Sequence, residues 1–122
     1  MRVVCDLDGT IAAAPQQFQS LMSALQACGH SVTVLTGTDN VPPTQQDWQE
    51  KCNYLTSLGC GQCWDELVVL SHPPDGDIAP LKAKWLVDHG AEIFIDDNQN
   101  NANAAIAAGT PLVLVPWASR SK

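Results

Sequence analysis

The sequence predicts an α/β fold: a Rossmann-like three-layer sandwich with a five-stranded parallel sheet and helices on both faces. Two patterns carry this expectation. Short β-branched or leucine-rich runs recur five times, and the segments between them place apolar residues at helical spacing. Such alternation gives a parallel sheet covered on both sides, with ligands bound beyond the carboxyl ends of its strands. The length, 122 residues and 13.1 kDa, suits one domain with its own core, so residues 1–122 are expected to form a single unit.

Each element has a local reason. Arg2 to Cys5 is a β-branched run suited to a strand buried on both faces. Gly9 to Pro15 reads as a loop. Pro15 suits the start of a helix carrying Phe18, Leu21, Met22 and Leu25, which Gly29 closes. Ser31 to Leu35 (SVTVL) is the second strand, ending in Thr36-Gly37. The Pro42-Pro43 pair places Asn40 to Thr44 in a loop, and Gln45 to Leu58 follows as a helix with Trp48, Cys52 and Leu55 on one face. Leu67 to Leu70 is the third strand and SHPPDGD a loop. Then come a short helix, Leu81 to Val87, and a fourth strand, Glu92 to Ile95. An alanine-rich helix from Asn100 to Ala108 stops at Gly109, and Leu112 to Val115 is the fifth strand, closed by Pro116.

A formal charge of −7 repels nucleic-acid backbone and anionic membranes, so non-specific nucleic-acid binding and membrane association are not expected. With no apolar run of membrane-spanning length and no signal-peptide pattern, a soluble, cytoplasmic protein is expected. Five cysteines, an odd number, point to reduced thiols. Cys60 and Cys63 form CGQC, and Cys52 and His72 would complete a four-ligand zinc site. No second tight pair exists, so incidental thiols are the preferred reading. Trp48, Trp64 and Trp85 read as packing residues, while Trp117 could line an open cleft. His30 and His89 read as surface residues, whereas His72 lies on the loop rim that would face a ligand.

The strand ends are where chemistry collects. Asp6 and Asp8 follow the first strand, Thr36 and Gly37 the second, and Asp96 and Asp97 the fourth; Lys82 heads the helix after the third. In a parallel sheet these residues share one rim. Side chains two apart in extended backbone share a face, so Asp6 and Asp8 are expected to reach one ligand. Four acids in one cleft raise each other's pKa unless a cation neutralises them. All-oxygen ligation suits a hard cation, Mg²⁺ above all. A metal held by acids, with a lysine and a hydroxyl opposite, is a site for a phosphoryl group, which a carboxylate can attack to form an aspartyl-phosphate.

With DLDGT at Asp6 to Thr10, Thr36 after a strand, Lys82, and the Asp96-Asp97 pair in that order, the chain resembles the haloacid dehalogenase superfamily of phosphohydrolases. The resemblance spans nearly the whole chain. It implies Asp6 as nucleophile and metal ligand, and Asp8 as general acid, then base, with its carbonyl also touching the metal. It further implies that Thr36 bonds the phosphoryl oxygens and that Lys82 neutralises Asp6 and the transferred group. The backbone around Leu7, Asp8 and Gly37 would complete the phosphate cradle. Asp97 would bind Mg²⁺, directly or through water, with Asp96 assisting.

The chain departs from the family pattern in two ways. Asn101 stands where many members carry a further acid, which would weaken support for the metal. The intervals from Leu7 to Thr36 and from Thr36 to Lys82 are too short for the cap domain that members often insert, so a capless member is implied. Lys84 competes for the lysine role; Lys82 is preferred because it lies nearer the helix start. The expected activity is Mg²⁺-dependent phosphomonoester hydrolysis of a phosphorylated small molecule or of a phosphorylated macromolecule end. The rivals are a degenerate module that binds metal or a phosphorylated partner, and a phosphotransferase of the same superfamily. No GxxxxGK[ST] motif is present, which excludes a phosphate-loop nucleotide-binding protein. Neither the substrate nor the oligomeric state is legible.

Overall fold

A computed structural model describes residues 1–74 and 76–116. Its elements alternate as expected. Strand β1 (Arg2–Asp6) leads through a single 3-10 turn (Ile11–Ala13) into α1 (Pro15–Ala27). Next come β2 (Ser31–Thr38), α2 (Gln45–Ser57), β3 (Glu66–Ser71) and α3 (Ala79–Asp88). The chain ends with β4 (Ile93–Ile95), α4 (Gln99–Ala108) and β5 (Leu112–Leu114). All neighbouring strands pair in parallel, in the order β3-β2-β1-β4-β5.

Two cores lie on opposite faces of the sheet, as strand alternation requires. Val3, Cys5, Val32 and Val34 pack against Phe18 and Met22 of α1 and Leu55 of α2. Val4, Leu35 and Phe94 pack against Leu86 of α3 and Ala105 of α4. Trp48 and Trp64 meet edge to face, with ring centroids 6.4 Å apart, and their indole N–H groups donate to the carbonyls of Leu67 and Cys60. Trp85 stacks on His89. These three tryptophans therefore pack as expected; Trp117 lies outside the described residues.

The boundaries differ from the sequence reading where tertiary pairing extends a strand. β2 runs on to Thr38 because Thr36, Gly37 and Thr38 pair with Val69, Leu70 and Ser71 of β3. The segment read as a plain loop after Gly9 holds the 3-10 turn, stitched by bonds from Ala12 N to Leu7 O and from Ala13 N to Thr10 O. α3 begins at Ala79, ahead of the expected Leu81, with Pro80 in its first turn.

This strand order places the switch point between β1 and β4. The chain winds outward from β1 to β3, then returns across to β4. A crevice opens at the carboxyl ends of two such strands. Asp6 ends β1, and Asp96 immediately follows β4. Between β1 and β2 stand the 3-10 turn and α1; between β2 and β3 stands α2. No helix among the described residues is long and apolar enough to cross a membrane.

Candidate active site

The residues at the strand ends line one cleft of about 270 Å³ that includes Asp6, Asp8, Thr36, Gly37, Lys82, Asp96, Asp97 and Asn101. Strand alternation explains its central contact. Val3 and Cys5 point toward α1, so Asp6 points the other way, toward α3. There the Lys82 ammonium donates to Asp6 Oδ1 at 2.8 Å and to Asp96 Oδ2 at 3.2 Å, with all three side chains buried. Lys84, the rival lysine, is exposed and pairs with Asp88. It has no part in the cleft.

The second Asp6 oxygen accepts from the Thr10 hydroxyl at 3.1 Å. The Thr10 oxygen also lies 3.1 Å from Asp97 Oδ1 and accepts the Asp97 backbone N–H at 3.0 Å. Thr10 thus ties the two loops together, a role the reading of DLDGT missed although the residue belongs to that motif. Gly9 makes this approach possible. Its φ is +77°, and a Cβ there would lie 2.5 Å from Asp97 Oδ2. On the α4 side, Asn98 caps the helix by accepting from Asn101 N. The buried Asn101 amide donates to Asp96 Oδ2 at 2.9 Å, so the residue that replaces the expected acid still supports the acid pair.

Ligand oxygens of Asp6, Asp96 and Asp97 all lie within 4.8 Å of one another. Among the described residues, this is the one place where three His, Cys, Asp or Glu side chains gather closely enough to hold a metal ion. Cys52, Cys60 and Cys63 form no such group with His72. All five cysteines are free thiols. Burial pushes Cys5 up to about 12, with Asp6 adding to it, and burial likewise pushes Cys63 up to about 12 beside Cys60. Cys5, Cys60 and Cys63 belong to the core beneath α1 and α2, and Cys52 packs against it.

Asp8 lines the same cleft as Asp6, from beyond the end of β1. The strand ends at Asp6, and the chain turns from Leu7, whose carbonyl accepts the Thr10 and Ala12 N–H groups. The Asp8 carboxylate is 64% exposed at the cleft mouth and stands apart from the three-acid group. The nearest charge on it is Lys51 of α2, at 3.5 Å, which the sequence did not single out.

Thr36 is 1% exposed, and its hydroxyl has no hydrogen-bond partner. Gly37 follows as a contact point. A Cβ there would lie 2.7 Å from Ile78 Cδ1 and 2.9 Å from His72 Nε2, so the β3–α3 loop closes directly over it. His72 does line the cleft; His30 and His89 do not.

Burial pushes Asp6 up to about 7, against the pull of Lys82 and with Asp96 adding to the rise. Burial alone would lower Lys82, but Asp6 and Asp96 outweigh it and hold the ammonium above its ordinary value. The inner cleft therefore gathers three acids, Asp6, Asp96 and Asp97, around one fixed cation. A further cation among Asp6, Asp96 and Asp97 would restore Asp6 to its carboxylate form.

No protein-family model matches this chain, and none of the curated proteins matches it. Solved structures do. The chain is similar to a D,D-heptose 1.7-bisphosphate phosphatase from B. bronchiseptica, crystallised with magnesium and phosphate, at 15% identity and a TM-score of 0.58; the match covers 92% of this chain and 79% of that one. It is also similar to a universal stress protein family member from Burkholderia pseudomallei, at 12% identity and a TM-score of 0.56, covering 94% of this chain and 95% of that one. At such identities the likeness is one of fold, and it establishes the Rossmann-like α/β sandwich with a five-stranded parallel sheet as this chain's architecture.

Proposed function

We propose that this chain is a Mg²⁺-dependent phosphomonoesterase that works through an aspartyl-phosphate on Asp6. One observation carries the reading. The buried Lys82 ammonium bridges Asp6 and Asp96, an Asp97 oxygen lies close to both acids, and the same cleft holds the unpartnered Thr36 hydroxyl. The similar heptose bisphosphate phosphatase, crystallised with magnesium and phosphate, supports it.

The donor set fits Mg²⁺. Octahedral ligation at about 2.0–2.1 Å separates ligand oxygens by about 3–4 Å, and the three carboxylates already offer oxygens within 4.8 Å of one another. Asp6 and Asp97 would hold the ion, with Asp96 assisting and the Asp8 carbonyl beside it. When bound, Mg²⁺ supplies charge neutralisation to the phosphoryl oxygens.

The remaining work falls to side chains. Lys82 orients Asp6 and opposes the negative charge of the transferred group. Thr36 gives its hydroxyl to a phosphoryl oxygen. An Asp6 oxygen bonds to phosphorus as the ester P–O bond breaks, and Asp8 gives its proton to the departing oxygen. Asp8, now a carboxylate, then takes a proton from water as that water's oxygen bonds to phosphorus and releases Asp6. The open cleft suits a phosphorylated small molecule or a phosphorylated macromolecule end.

The test is phosphate release from aryl phosphates with and without Mg²⁺. Asp6→Asn is expected to abolish turnover; turnover at the wild-type rate would sink the nucleophile assignment. A second reading, a non-catalytic binding module, takes its support from the similar universal stress protein family structure. Failure of the wild type to release phosphate across a broad panel of esters would favour it.

A further inference from the structure

Asp8 lines the cleft but lies beyond the end of β1, and its carboxylate is 64% exposed. A general acid must come within about 3 Å of the departing oxygen, and an exposed carboxylate on a turn samples several rotamers. Lys51 limits that freedom. Its ammonium reaches Asp8 Oδ2 at 3.5 Å, while its side chain is only 23% exposed.

The base on which Lys51 stands is fixed. Asp47 lies four residues earlier on α2 and hence on the same helix face. The Asp47 carboxylate accepts from the Thr38 hydroxyl at 3.2 Å, the Asn40 amide at 2.7 Å, and the Thr44 N–H and hydroxyl at 2.7 and 2.9 Å. These bonds pin the start of α2 to the end of β2, the strand that carries Thr36. Among the described residues the other lysines and the arginine are engaged elsewhere: Arg2 pairs with Glu66, Lys84 with Asp88, and Lys82 lies buried between Asp6 and Asp96. Lys51 does not itself line the cleft. It touches Asp8 from outside, where it acts on the acid and not on a substrate.

We propose that Lys51 is a positioning residue for Asp8, holding the acid–base carboxylate at the mouth of the cleft; this rests on the phosphatase reading above. An exposed pair of this kind supports an effect of about two- to fivefold on the step that needs the proton.

The experiment compares kcat/KM for phenyl phosphate, whose leaving oxygen needs a proton, with that for dinitrophenyl phosphate, whose leaving oxygen does not. Wild type, Lys51→Arg, Lys51→Met and Lys51→Glu are assayed with Mg²⁺, and inhibition by inorganic phosphate is measured for each. On phenyl phosphate, Arg is expected to match wild type, and Met and Glu each to lose about two- to fivefold, because neither can donate to Asp8 Oδ2 and leave Oδ1 to carry the proton. Rates on dinitrophenyl phosphate and inhibition by phosphate stay unchanged. Equal losses on both esters, weakened phosphate inhibition, or no loss at all would each overturn the proposal. Asp6→Asn in the same assay separates the two claims. If it turns over like wild type, the phosphatase reading fails. If it is inactive while the Lys51 series ignores the leaving group, the positioning claim alone fails.

Discussion

Replacing Lys82 by Met removes the only positive charge from a buried trio. The ammonium sits 2.8 Å from Asp6 and 3.2 Å from Asp96, and neither carboxylate has meaningful access to solvent. Removing one partner of a buried ion pair costs about 3–5 kcal/mol, because the partner left behind keeps its charge without compensation. The protein can escape part of that cost by protonating Asp6, and this makes the deficit depend on pH. Asp6 in the fold is raised from 3.8 to about 7. A raised acid favours the folded state below its unfolded value, and that contribution is lost as pH climbs toward the folded value. Without Lys82, Asp6 rises further, so the loss with increasing pH extends above neutrality and grows in total.

The assay is urea unfolding of wild type and Lys82→Met in a chelator, at about pH 5 and about pH 8. The expected deficit is about 3–5 kcal/mol at the higher pH, and below about 2 kcal/mol at the lower, where a neutral Asp6 leaves Asp96 to be satisfied by Asn101 and the Asn98 N–H. A domain of this size has about 5–15 kcal/mol to lose, so the variant remains folded enough to measure. A deficit that is the same at both pH values, or one below about 1 kcal/mol at the higher, would refute the reasoning.

Two further substitutions test the cleft. Thr36→Val removes an unpartnered buried hydroxyl while keeping its shape, so it is expected to raise stability by about 1 kcal/mol, or several degrees in Tm, while phosphate release falls at least about tenfold. A lowered Tm would show that the hydroxyl has a partner in the free protein. Gly9→Ala places a Cβ 2.5 Å from Asp97 Oδ2 at a φ of +77°; it is expected to cost about 1–2 kcal/mol and to weaken Mg²⁺ binding, read by calorimetry, because Asp97 must move. Unchanged Mg²⁺ affinity would remove Asp97 from the metal site.

The architecture was legible because each strand–helix pair carries its own local pattern. The acids at the ends of β1 and β4 were legible because a parallel sheet sends all carboxyl ends to one rim. What was not legible depends on contacts between distant segments. Asp8 lines the same cleft as Asp6, but that it does so from a turn, paired with Lys51 of α2, is not written in DLDGT. Thr10 and Lys51 act through partners 87 and 43 residues away in the chain, separations at which no periodic pattern links them. The extension of β2 through Thr38 likewise depends on β3 pairing, which SVTVL alone does not contain.

Charge counting sets the order in which ligands enter. Asp6, Asp96 and Asp97 against Lys82 leave the inner cleft with a surplus of two negative charges when all are ionised. Asp8 and Lys51 offset each other at the mouth, where Asp77 adds one more acid to the surplus. A phosphate dianion approaching this surplus is repelled, and the Thr36 hydroxyl alone offers too little, since a hydrogen bond to a charged group is worth about 1.5–3 kcal/mol. A divalent cation cancels the inner surplus and favours the carboxylate form of Asp6, after which Lys82 and Thr36 can act on the phosphate. Binding is therefore expected to be ordered. Inorganic phosphate with a chelator leaves Tm unchanged, Mg²⁺ alone raises it, and phosphate raises it further only once Mg²⁺ is present. A phosphate-induced rise of equal size without metal would show that the acids are already neutralised by protons, and that Lys82 and Thr36 suffice to hold the anion.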